Sequence, residues 1–121
     1  MADLIDFQDK LKALNEAYAA ELPVKIEQIE GAWGRLARGE WDEAGFKSLH
    51  RMVHSLTGSG KTFGFALLSD IARKLEMTLD GIVQAKTMPD EEQCNRIRVL
   101  LSEFHQTVQQ RSQWSASQAL H

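Results

Sequence analysis

His54 and the glycines that follow it are the residues here that most invite chemistry. They lie in the stretch Val53-His54-Ser55-Leu56-Thr57-Gly58-Ser59-Gly60-Lys61-Thr62-Phe63-Gly64, where Gly58, Gly60 and Gly64 fall within ten residues of the histidine. Each glycine inside a helix costs about 1 kcal/mol relative to alanine, so a helix that carries several has a use for them. At roughly 100° per residue, Phe46, Leu49, Val53, Leu56, Gly60 and Phe63 form one apolar seam. Lys47, His50, Arg51, His54, Gly58 and Lys61 form a polar, cationic stripe beside it. Side chains lean toward the N-terminus of their helix, so residue 58 would roof residue 54, and a glycine there leaves the imidazole bare. A bare imidazole flanked by the charges of Arg51 and Lys61 suits reaction with an anionic group.

Other chemistries fit these residues less well. His50 and His54 are spaced to share a metal, but positions 47 and 51 are Lys47 and Arg51. Neither histidine therefore has the Glu-x-x-His arrangement of a di-metal bundle, and two cations oppose a dication. Gly58-Ser59-Gly60-Lys61-Thr62 looks like the end of a phosphate-binding loop. The first glycine of that motif would fall at Ser55, and a helix rather than a strand precedes it. Ser55 and Ser59 have no partner acid for nucleophilic catalysis. Glu16, Glu21, Glu27, Glu30, Glu76 and Asp80 read as solvated helix faces.

The elements that must position His54 are helices. A chain of 121 residues with 43% hydrophobic and 26% charged residues is expected to fold as one domain. A net charge of −3 gives no reason to expect nucleic acid. The lone Cys94 fits a reducing compartment. Apolar runs fall short of the ~18 residues of a membrane span, and Met1-Ala2-Asp3-Leu4-Ile5-Asp6 lacks a signal peptide's regions, so a cytoplasmic protein is expected. A first helix is expected over about 6–21, with Phe7, Leu11, Leu14 and Tyr18 at helical spacing, and Pro23 is expected to mark a break or the first turn of the next helix. A second carries Ile26, Ile29, Trp33 and Leu36 and ends at Gly39. Asp42 caps the third, with Trp41 and Phe46 as a hydrophobic staple; this helix carries His54 and ends near Gly64. The fourth has Leu68, Ile71, Ala72, Leu75, Leu79 and Ile82 as its stripe. The fifth starts around Met88 to Asp90, with Thr87 or Asp90 as its cap, and runs through Cys94, Ile97, Leu101, Phe104 and Val108. The core spans about 6–111, and the tail 112–121 is expected to fray. These patterns predict an all-α, antiparallel up-down-up-down four-helix bundle, with the additional N-terminal helix packed across one end.

His54, Leu56, Gly58, Ser59 and Gly64, continued by Phe65-Ala66-Leu67-Leu68 and later Leu75-Glu76, resemble the histidine phosphotransfer (HPt) domain family. That family has a histidine, an apolar residue two on, a glycine four on, a small residue five on and a glycine ten on. Its usual lysine, three after the histidine, is Thr57 here. The resemblance covers roughly 15–110 and implies the same bundle. It implies that His54 accepts a phosphoryl group from a receiver-domain aspartate and passes it to another receiver. The partners implied are response-regulator receiver domains or a hybrid histidine kinase. A divalent metal and a lysine belong to the receiver, with no cofactor or metal on this chain and no kinase activity of its own. Lys61 or Arg51 is expected to stand in for the missing lysine. Phe65 and Leu67, with His50 and Lys47, are candidates for a docking surface, the alternative for the two apolar residues being that they close one end of the bundle. A monomer is expected. Two other classes remain: an interaction module that sequesters a response regulator without accepting phosphate, which the Thr57 departure favours, and a metal-binding bundle.

Overall fold

The computed structural model describes the backbone of residues 2–119 and the side chains of 6–109. Four helices follow in order: α1 (Ala2–Ala37), α2 (Glu43–Thr62), α3 (Ala66–Ala85) and α4 (Glu91–Ala119). The described residues contain no strand. Each helix packs on the next, and α1 packs on α4, which closes a ring around the core. Side chains from residue 110 onward, among them those of the tail 112–121 that was expected to fray, lie outside the described residues.

The capping chemistry sets the boundaries. Asp42 is extended (φ −143°, ψ 123°) and its carboxylate accepts the Ala44 N–H, while Trp41 lies 5.1 Å from Phe46, ring centre to ring centre. Both α1 and α2 stop on a glycine in the left-handed region, Gly39 (φ +93°) and Gly64 (φ +82°), where an L side chain would be strained. The paired bonds of a Schellman motif close each end. Glu40 N–H donates to Arg35 O and Gly39 N–H to Leu36 O; Phe65 N–H donates to Gly60 O and Gly64 N–H to Lys61 O. Asp90 rather than Thr87 opens α4. Its carboxylate accepts Gln93 N–H at 2.7 Å, and the Gln93 side chain accepts Asp90 N–H at 3.0 Å, a reciprocal capping box.

The expected seams are buried except at Phe63, Cys94 and Val108, which are partly buried against the core. Phe46, Leu49, Val53, Leu56 and Gly60 of α2 face Leu68, Ile71, Ala72, Leu75, Leu79 and Ile82 of α3, with Ile97, Leu101 and Phe104 from α4. Burial of such aliphatic side chains, each about 1.5–3 kcal/mol, holds the bundle together.

The N-terminal half differs from expectation. No separate helix lies across the bundle's end: α1 runs unbroken through Pro23. Tyr18, Leu22, Ile26, Ile29, Trp33 and Leu36 form one buried stripe on both sides of the proline. That continuous packing outweighs the local cost of a missing N–H and a crowded ring. Pro23 itself is exposed. Of the four residues noted at helical spacing, Phe7, Leu11 and Leu14 are exposed, and only Tyr18 joins the core.

Replacing this proline isolates its cost. Pro23→Ala should raise unfolding stability by about 1–3 kcal/mol, since proline is the poorest interior helix residue. Urea denaturation reads the change; a loss of stability would show that α1 needs its proline.

Candidate functional site

His54 stands on the outer edge of α2, next to the fully buried Val53, with 72% of its side chain exposed. Across the groove, Glu76 of α3 is only 19% exposed. Its carboxylate oxygens lie 2.9 and 3.1 Å from His54 Nδ1. A carboxylate accepts, so in the neutral ring Nδ1 carries the proton and Nε2 keeps its lone pair. The Thr57 hydroxyl lies 3.2 Å from Val53 O and 3.4 Å from Glu76 Oε2. Thr57 thus turns inward, to the acceptor side of the pair. One turn earlier, His50 Nε2 lies 2.6 Å from Asp80 Oδ1, and this ring is half-buried.

Glu76 raises the pKa of His54 above its usual 6.5, first by the hydrogen bond and then by its charge. Burial opposes this slightly and the charge of Asp80 adds to it. Because the folded-state value is the raised one, the stabilisation from this pair is complete below the ordinary value and is lost as pH rises through the raised one.

The groove is held at this width by contacts one to two turns beyond His54. Ser69 donates its hydroxyl to Thr57 O at 2.6 Å. A Cβ on Gly60 would sit 3.4 Å from both Ser69 Cβ and Ser69 N and 3.5 Å from Phe65 O, so α2 and α3 meet here backbone to backbone. Tyr18 of α1 ties down the same end. Its hydroxyl is 2.8 Å from Ser59 Oγ, its ring stacks on Phe63 at 4.6 Å, and Lys25 Nζ lies 5.1 Å from its ring centre. Burial raises the Tyr18 pKa, against the effect of the Ser59 hydrogen bond, and keeps the phenol protonated.

The expected site residues fall into two groups. His54, Gly58, Arg51 and Lys61 share the exposed face of α2, and apart from the adjoining residues and the helix's own backbone nothing lies within 4 Å of where a Gly58 Cβ would be. Arg51 and Lys61 enter none of the ion pairs among the described residues. Lys47 is exposed on the same face and pairs with Glu43 at 3.7 Å. The two apolar docking candidates do not belong there. Phe65 is buried at 6% exposure, tilted against Tyr18 at 5.4 Å, because it follows the glycine that turns the chain back into the bundle. Leu67 is exposed, but it lies nine residues before Glu76, about 180° around α3, and lines the groove toward α4.

Glu76 and Asp80, read from sequence as solvated, are the partners that reasoning within single helices missed. The available signal was a match of spacings: histidines four apart on α2 and carboxylates four apart on α3. No three His, Cys, Asp or Glu side chains among the described residues are grouped to hold a metal ion.

Glu76→Gln keeps an acceptor for Nδ1–H and removes the charge. The His54 pKa, followed by its ring resonances in an NMR titration, should fall toward 6.5. An unchanged midpoint would mean that Glu76 does not set the basicity of this ring.

A family model described as the Hpt domain matches residues 13–114. No curated protein and no solved structure matches the chain. The family match spans α2 and α3 whole, including the exposed histidine, its carboxylate partner and the glycine above it, and the chain belongs to the histidine phosphotransfer domain family, the phosphotransfer modules of two-component signalling.

Proposed function

We propose that this chain is a phosphorelay intermediate that takes a phosphoryl group on His54 Nε2 from the aspartate of a response-regulator receiver domain and hands it to another. The observation that carries this reading is the bond from His54 Nδ1 to Glu76, which leaves Nε2 as the free nucleophile of an exposed ring. The lone pair of Nε2 forms the N–P bond as the O–P bond of the aspartyl phosphate breaks. The aspartate leaves with that electron pair as a carboxylate. The ring becomes cationic with Nδ1 still protonated, so no proton has to move. Glu76 then faces the new charge at hydrogen-bond distance. The neutral ring is the attacking form, so the rate falls as pH drops through the raised pKa. The fall therefore sets in at a higher pH than the ordinary histidine value of 6.5 would give.

Positioning and charge account for most of phosphoryl transfer, so the chain needs little apparatus of its own. A receiver that brings its own divalent metal and lysine completes the site, and this chain acts as a carrier rather than a kinase. The same reading takes the bundle as up-down-up-down throughout. Short turns between helices support it, as does the pairing of 50 with 80 and 54 with 76, in which numbers rise along α2 as they fall along α3. It also takes the protein as a cytoplasmic monomer; no helix among the described residues is long and apolar enough to cross a membrane.

A second reading, a binding module that holds a receiver without accepting phosphate, is favoured by the inward-turned Thr57 hydroxyl where a lysine is usual. Incubation with a phosphorylated receiver separates the two. Acid-labile label should appear on the wild-type chain and be absent from His54→Gln at equal receiver binding. Label retained by that variant, on His50 or His105, would rule out His54 as acceptor. Gly58→Leu should keep or raise thermal stability, because the space is open and leucine is the better helix former. Its transfer rate should fall at least about tenfold, because a side chain there roofs the ring; wild-type transfer would refute the access argument.

A further inference from the structure

We propose that Lys61 is the cation that holds the phosphoryl oxygens at His54, in place of the lysine missing at position 57. This rests on the reading of His54 as phosphoryl acceptor. Lys61 follows His54 by seven residues, which puts it about 20° short of two full turns and about 10 Å along the axis. It is therefore almost directly in line with the imidazole, toward the C-terminus of α2. A helical side chain covers the surface over the turn before it, so the four-carbon stem of Lys61 can swing back across residue 58 toward residue 54 when an anion arrives there. Residue 58 is Gly58, and nothing within 4 Å occupies the place of a side chain there. The glycine leaves open both the approach of the phosphoryl group and the path of the lysine.

The other cations of this face are worse placed. Arg51 precedes His54 by three residues and leans away from it, toward Lys47. Lys47 is farther in the same direction and pairs with Glu43. His50 is engaged by Asp80. Arg73 of α3 stands one turn before Glu76 and leans toward the start of α3, again away from His54. Thr57 offers a neutral hydroxyl already set between Val53 O and Glu76. Lys61 is exposed, enters no ion pair among the described residues, and has its ammonium group free for an incoming anion. It also counters a repulsion: Glu76 has the same sign of charge as the phosphoryl group that it helps the ring to accept, and an ammonium beside that group offsets the repulsion. Its contacts are hydrogen bonds to oxygens that become more strongly held as the P–O bond to aspartate breaks, so the effect belongs to the transfer step.

The test is the rate of phosphoryl transfer from a receiver domain charged with acetyl phosphate and magnesium, measured against receiver concentration for Lys61→Ala, Lys61→Arg and the double variant Lys61→Ala with Thr57→Lys. Lys61→Ala should lower the maximal rate about tenfold, the size expected for one charge-assisted hydrogen bond, with little change in the half-saturating receiver concentration. Lys61→Arg should recover most of the rate, and Thr57→Lys should restore it in the alanine background. A wild-type rate in Lys61→Ala, or a loss confined to the half-saturating concentration, overturns the assignment while leaving His54 as acceptor. A wild-type chain that takes no acid-labile label at all overturns the acceptor reading and Lys61 with it.

Discussion

The close contact of α2 with α3 at Gly60 and Ser69 governs the rest of the site. Glu76 reaches His54 Nδ1 only because the two helices meet without a side chain between them, one to two turns away. The Ser69 hydroxyl then pins the Thr57 carbonyl on the adjoining turn. Exposed ion pairs such as Lys47–Glu43 contribute only about 0–1 kcal/mol, because water competes for both partners. Glu76 is different in kind: most of its surface is covered, and its oxygens are aimed at one ring nitrogen. Its influence is spent on the tautomer and basicity of His54 rather than on holding the helices together, which the apolar seams already do.

The seams themselves were legible from sequence. Phe46, Leu49, Val53 and Leu56 share one face by the 3.6-residue period alone, and Asp42 with the Trp41–Phe46 staple marks a start that depends only on neighbours along the chain. The exposed face with His54 and Gly58 follows by the same projection. What depends on another helix was not legible. Pro23 signals a break by a local rule, and the rule lost to packing on both sides of it, by Tyr18 and Leu22 before and Ile26 after. Glu76 looks like any solvated acid until the alignment of α3 on α2 sets it opposite His54. Phe65 was a candidate both for a docking surface and for closing one end of the bundle, and the Gly64 turn carries it back against Tyr18.

Tyr18 gives the long first helix a part in the site that its distance in sequence conceals. Its hydroxyl meets Ser59 and its ring lies between Phe63 and Lys25, so α1 buttresses the end of α2 where the chain reverses. The helix that carries the glycines is thus supported from outside at its least regular end. That support lets Gly58 remain bare at a cost of about 1 kcal/mol in helix preference, which a freestanding helix would feel more acutely.

The reversal between α2 and α3 occupies only Phe63, Gly64 and Phe65, and its hydrogen bonds reach back to Gly60 and Lys61. So tight a link fixes the angular phase of one rod against the other. A residue added to or deleted from α3 between Ala66 and Glu76 would turn the acid by about 100° about the helix axis, swing it out of the groove and bring a neighbour of different chemistry opposite the histidine. The two helices could still bury oil against oil after some slippage, but the imidazole would lose its partner.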